Sequence, residues 1–367
     1  MSEPKFIPGK ELSRLLHEEV IQQIMAAHYP RLTYSSARWG YGSEVLDFDT
    51  PMSRDHDWGV RLQIFLDDKD MHLKQELWDT LAHHLPKTFY GYSTHWGQDN
   101  PNDPGVRHRE FKEEGPVDHR VEINSPNHFL GWYLPADVFG EMTAQDWLVL
   151  PAQKLRSIVC GATFHDGLNT LLPMQKKLRW YPDEVWHYIL ASGFARIGQE
   201  EHLMGRAGHV GDELGSAQLG AHLTRTIMLI AFWMEKQYAP YHKWFGTGFK
   251  RLDIADELLP VLHTIRLANT WQEREVGLMQ AYVILMKKFN TLKLVDPVKE
   301  ETHDFFGRPF MVSYSGEAQE KLTALFADKP LANFPPIGPI DLVTSSTDVL
   351  EKIEVCQRMK ALYTPEA

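Results

Sequence analysis

The stretch GYGSEVLDFDTPMSRDHDWGVRLQIFL, residues 40–66, decides how this chain is read. It holds a small pair, Gly42-Ser43, then eleven residues, then two aspartates one residue apart, Asp55 and Asp57, at the head of an apolar run. Residues 57–66 read as a largely buried strand. Strand side chains alternate between faces, so Asp55 and Asp57 are expected on one side and His56 and Trp58 on the other. Two like charges held side by side are costly without a cation, and hard oxygen ligands favour Mg²⁺. The same parity in VDHRVEI (117–123) puts Asp118, Arg120 and Glu122 on one face and sends Val121 and Ile123 into the core. Glu122 is therefore the expected third carboxylate, with Asp118 as the alternative. Three carboxylates can hold two metal ions about 3.5–4 Å apart, one activating an attacking hydroxyl and one neutralising a leaving pyrophosphate. Gly42-Ser43 would let backbone N–H groups and a hydroxyl come close to a triphosphate.

Working outward, Leu12, Leu15, Leu16, Val20, Ile21, Ile24 and Met25 recur at helical spacing and predict a helix over 9–28. A β-prone segment follows at 32–43, a helix at 73–85, and strands at 88–93 and 117–125. Residues 96–115 are rich in Asn, Asp, Pro and Gly without an apolar period, and read as a long loop. After about residue 150 the periods are helical, at 180–203, 217–238 and 254–292; beyond 298 the chain turns mixed and Pro-rich. The expectation is an α+β protein with a mixed sheet flanked by helices in 1–150, a helical bundle in 151–297, and a C-terminal appendage in 298–367 packing on the bundle. Glycines 205, 208, 211, 215 and 220 follow no strand and so form no dinucleotide-type phosphate loop; close helix packing or a bend accounts for them.

With 49 acidic against 38 basic residues the net charge is −11, which argues against coating a nucleic acid and for a small or basic acceptor. The longest apolar run, Thr226 to Met234, is far short of the roughly 20 residues of a bilayer span, and the start of the chain has no signal-peptide pattern. Two cysteines, Cys160 and Cys356, make no disulfide framework and fit a cytoplasmic protein.

Helix, strand, Gly-Ser, eleven residues, Asp-x-Asp entering an apolar strand and a later apolar-Glu-apolar strand resembles the pattern of the polymerase-β-like nucleotidyltransferase superfamily. Segments 43–59, 179–216, 238–252 (YAPYHKWFGTGFKRL) and 308–315 (RPFMVSYS) look like successive signatures of a bacterial family of unknown function placed among these transferases. The resemblance implies Gly42 and Ser43 at the triphosphate, Asp55 and Asp57 as metal ligands, and Glu122 as third carboxylate and general base. Small-molecule transferases of this kind use a lysine from their helical half, which makes Lys243, beside Trp244, a phosphate contact; Arg54 is a second candidate. Asp212, Ser216 and Arg225 are candidates for lining the cleft. The implied activity is transfer of a nucleoside monophosphate, AMP from ATP first among them, to a hydroxyl of a small molecule or protein, with Mg²⁺ (or Mn²⁺) and release of pyrophosphate. Two other readings are a catalytically silent nucleotide-sensing or antitoxin-like module, and a metal phosphohydrolase built on His56-Asp57 and His165-Asp166, which needs both pairs on helices.

Overall fold

A computed structural model describes residues 4–364 apart from His56 and residues 101–102; the side chains of Asp55 and of residues 99, 100 and 103–106 lie outside the description as well. The chain divides into two compact units, Met1–Gly140 with Lys154–Arg179, and Glu141–Gln153 with Trp180–Ala367.

The first unit opens on α1 (Gly9–Leu16) and α2 (Gln22–His28), joined through one turn of π-helix, His17–Ile21. β1 (Tyr34–Arg38) and β2 (Arg61–Leu66) pair antiparallel, with Tyr34 opposite Leu66 and Ala37 opposite Gln63. After α3 (Lys74–His84) come two hairpins, β3 (Thr88–Phe89) with β4 (Tyr92–Ser93) and β5 (Trp96–Asn100) with β6 (Asp103–Arg109). β7 (Arg120–Asn124) then lies parallel to β2, with Arg61 opposite Arg120 and Gln63 opposite Glu122. Beyond α4 (Pro126–Tyr133), α5 (Ala144–Leu148) and α6 (Ala152–Val159), β8 (Ala162–Asp166) pairs antiparallel with the free edge of β1. The mixed sheet runs β7-β2-β1-β8, and the protein is α+β.

One face of the sheet is sealed by the predicted helices: Leu62, Ile64, Val121 and Ile123 share a core with Leu12, Leu16, Ile21 and Leu77. Each such side chain contributes about 1.5–3 kcal/mol of burial. The other face carries rings, with Phe65 6.1 Å from Trp39 and 5.6 Å from Phe129 of α4 between ring centroids. Both faces of β2 are covered, which is why its sequence is nearly continuous in apolar residues. Gln63 is the exception, and its amide answers the Trp39 backbone: Oε1 accepts from the N–H at 2.8 Å and Nε2 donates to the carbonyl at 3.0 Å.

Three sequence expectations change here. The strand expected from Asp57 begins only at Arg61, because Pro51–Asp55 form a 3₁₀ turn and Asp57 adopts φ +45°. Pro favours a turn and Asp tolerates left-handed backbone, so local turn chemistry outweighs strand continuation, and strand parity does not apply to Asp55 and Asp57. The stretch expected as a loop over 96–115 contains the paired strands β5 and β6; residues 101–102 between them lie outside the described residues. The strand expected from Val117 starts at Arg120, so Asp118 precedes it and only Glu122 of the two candidate acids is in the strand.

The second unit is built on α8 (Asp183–His209), α9 (Glu213–Met234), α10 (His242–Phe249), α11 (Ala255–Leu267) and α12 (Trp271–Thr291), followed by the hairpin β9 (Thr302–Phe305)–β10 (Arg308–Ser313) and α13 (Ser315–Ala324). Gly211, φ +87°, turns the chain between α8 and α9, and Gly208 lets Trp271 approach to where a Cβ would lie 2.2 Å away. Among the described residues no helix is long and apolar enough to cross a membrane.

Glu201 of α8 is 5 % exposed; its carboxylate accepts from the Ser313 N–H at 2.8 Å, and burial pushes its pKa up to about 7. A carboxyl whose folded pKa is raised binds its proton more tightly in the native state, so stability declines as pH rises from the unfolded value, near 4.5, through 7. Glu201→Gln keeps the acceptor and removes the titration. Its thermal midpoint is expected to exceed that of the parent at pH 8 by an amount worth about 1–3 kcal/mol, and to match it at pH 5.

Candidate functional site

Gly42 follows β1 with φ +130°, and a Cβ there would sit 2.3 Å from the Glu44 carboxylate. Only glycine allows that backbone beside that side chain. Gly42→Ala is expected to lower stability by about 1–3 kcal/mol, read from chemical denaturation. Ser43 leads into the 3₁₀ turn Glu44–Leu46, and among the described residues neither the Gly42 nor the Ser43 N–H nor the Ser43 hydroxyl donates to an acceptor.

Glu44, next in sequence, is 3 % exposed. One of its oxygens, Oε1, accepts from Nε and Nη2 of Arg38 at 3.1 and 2.7 Å and from the same two atoms of Arg61, again at 3.1 and 2.7 Å. Burial pushes this carboxyl's pKa up, and the two guanidiniums overcome that and leave it at about 2. Burial and the neighbouring Arg61 charge lower the pKa of Arg38. Burial works the same way on Arg61, but Glu44, Glu122 and Asp57 outweigh it and raise that residue's pKa. Both arginines also donate to the Tyr41 carbonyl, which ties the Gly42-Ser43 turn to the start of β2.

Asp57 lies four residues before Arg61, and its Oδ1 accepts from Nη2 of Arg120 at 2.7 Å. Arg120 starts β7 and its guanidinium rests 5.1 Å from the centre of the Trp96 ring. Two residues on, Glu122 is exposed opposite Gln63, its charge acting on Arg38 and Arg61. Gly42, Ser43, Asp57 and Glu122 thus gather at the start of β2 around Arg61, as carboxylates and open backbone donors interleaved with three guanidiniums. Arg38, Glu44 and Arg61 were missed at the level of sequence; the signal was an arginine closing β1, another opening β2, and an acid directly after the Gly-Ser pair.

The remaining candidates are placed as follows. The Asp55 side chain lies outside the described residues. Arg54 donates to the Pro51 carbonyl at 2.9 Å and the Pro4 carbonyl at 3.2 Å. Asp118 pairs with Arg107 beside the β5–β6 hairpin. Lys243 belongs to α10 of the second unit, exposed, its ammonium 5.0 Å from the centre of the Trp244 ring. Asp212 caps α9 by accepting from the Gly215 N–H at 2.7 Å, and Ser216 accepts from Arg274 at 2.6 Å. Arg225 lies over the Phe245 ring at 4.8 Å. His165-Asp166 sits on β8, a strand, where Asp166 accepts from the Thr170, Leu171 and Leu172 N–H groups at the head of α7 (Leu171–Lys177). That removes the helical pair a metal phosphohydrolase needs; His56 lies outside the described residues. Among the described residues no group of three His, Cys, Asp or Glu side chains is arranged to hold a metal ion.

Residues 147–245 match a family described as a domain of unknown function, DUF4037. The match includes Asp212, Ser216, Arg225 and Lys243 and none of the residues around Arg61. Among solved structures, a nucleotidyltransferase-like protein from Exiguobacterium sibiricum 255-15 is similar over 88 % of this chain and 92 % of its own, at 12 % identity and a TM-score of 0.34. No curated protein matches.

Proposed function

We propose that the first unit transfers a nucleoside monophosphate, AMP from ATP before the others, to a hydroxyl of a small molecule or protein, and that the protein is a nucleotidyltransferase of the polymerase-β-like kind. The observation that supports this is the convergence of Gly42, Ser43, Asp57 and Glu122 at the start of β2. In this reading the open N–H groups of Gly42 and Ser43 and the Ser43 hydroxyl donate to phosphate oxygens, while Arg38 and Arg61 offset the charge that Glu44 would otherwise present to them. Glu122 takes the proton of the acceptor hydroxyl as its oxygen bonds to the α-phosphorus and the bond to pyrophosphate breaks. The donor set of Asp57 and Glu122, with Asp55 on the preceding turn, consists of hard oxygens suited to Mg²⁺ or Mn²⁺. When bound, the metal would neutralise charge on the transferring group and on pyrophosphate. Incubation with Mg²⁺ and each α-labelled nucleoside triphosphate, with and without cell extract, tests the proposal. Label moving to an acceptor with release of pyrophosphate is expected, and no transfer from any nucleotide over any acceptor pool overturns it.

The silent nucleotide-binding reading is favoured by one contact, the Arg120–Asp57 pair, which sets an arginine where the transfer chemistry asks for a cation. ATP binding seen by calorimetry without turnover would support it.

A further inference from the structure

The helical unit contains a cavity of about 370 Å³ between α9, α10, α11 and the first turn of α12. That volume is within the range of small-molecule sites. It exists because α9 presents small residues where a packed bundle would interdigitate larger ones: Ala217 and Ala221, one turn apart, face Leu259 and Leu262 of α11 across the space. Phe249, Leu262 and Ile265, all buried, make its inner surface apolar.

Its charge is one-sided. Lys250 and Arg266 are exposed among the lining residues, and Arg274, 3 % exposed, is a third cation. No carboxylate is among them. Arg274 is held in place: it donates to Ser216 at 2.6 Å and to Glu213 and the Ala268 carbonyl, each at 3.3 Å. Gly220 makes room for its stem, since a Cβ there would meet Arg274 Cδ at 2.4 Å. Those three acceptors take three of the five N–H donors a guanidinium carries. In a chain of net charge −11, an apolar cavity lined by cations and no acid is complementary to an anion with an apolar body.

We infer that this cavity is a binding site for a small amphiphilic carboxylate, its apolar portion against Phe249, Leu262 and Ile265 and its head group among Lys250, Arg266 and Arg274. All of its lining residues belong to the second unit, and its test contains no nucleotide.

Titration calorimetry of the whole protein with decanoate, decanol and decylamine reads both halves of the inference. Decanoate is expected to bind one per chain, at least tenfold tighter than decanol, with no binding of decylamine. In the doubly substituted Lys250→Glu, Arg266→Glu protein, whose changes are at exposed positions, decanoate affinity should fall at least tenfold. Ala221→Trp fills the space from α9 and should abolish binding, with circular dichroism unchanged. The inference is overturned if decanoate does not bind, if decanol or decylamine binds as well as decanoate, or if the folded charge-reversal protein binds decanoate unchanged.

Discussion

Glu44→Ala is expected to destabilise the protein by about 3–5 kcal/mol, the range for breaking a buried ion pair by removing one partner. Arg38 and Arg61 both depend on one oxygen of that carboxylate, and its loss removes the acceptor they share and leaves the two guanidiniums repelling each other, with only the more distant Glu122 and Asp57 as counter-charge. Glu44→Gln keeps an acceptor but not the charge, and should fall between the parent and the Ala protein in urea denaturation. The pH dependence has a definite sign. The folded pKa, about 2, is depressed below the unfolded value of about 4.5, so the carboxylate's stabilisation is present above pH 4.5 and is lost as pH falls toward 2. A depression of that size corresponds to on the order of 3 kcal/mol. The parent's acid transition between pH 4.5 and 2 should therefore be steeper than that of Glu44→Gln; equal slopes would show that the Glu44 cluster does not govern acid stability.

Asp57→Asn is expected to reduce nucleotide transfer by about 10³-fold, the scale seen when one preorganised charge-stabilising group is removed from an active site. The change should leave the fold nearly untouched. Asn still offers a carbonyl oxygen to Arg120, and the Asp57–Arg120 pair is about a third exposed, where such pairs are worth roughly 0–1 kcal/mol. A midpoint within a few degrees of the parent's together with lost label transfer is the expected pair of results. Transfer at the parent's rate in the folded Asn protein would remove Asp57 from the chemistry.

The parts of this fold that depend on a local period were legible in the sequence. The spacing from Leu12 to Met25 marks a helix wherever it occurs, and the alternation Val121, Glu122, Ile123 marks a strand with one open face. The stretch between Ser43 and Arg61 was not legible in the same way. Pro51, the left-handed Asp57 and Gly59 each break strand geometry, so the strand's parity does not extend backward to Asp55 and Asp57. The Glu44 cluster was hidden for another reason: its partners come from the strand before and the strand after, and their meeting depends on the β1–β2 register. Residues 96–115 show the converse: their Asn, Asp and Pro content without an apolar period suggests a long loop, yet β5 and β6 pair within that stretch.

The return of the chain through β8 also bears on how the molecule can be divided. A polypeptide ending at residue 150 keeps Gly42, Asp57 and Glu122 but leaves β1 with an open edge, and Ser35 without the Asp166 carboxylate it donates to at 2.9 Å. Open edges recruit other chains, so such a fragment should scatter light on refolding while the full-length protein stays clear. Cutting instead after Arg179 leaves residues 141–153, which belong with the helices, attached to the sheet. No single scission separates the two units, and on the ribosome the sheet acquires its last strand only after part of the helical unit has already been made.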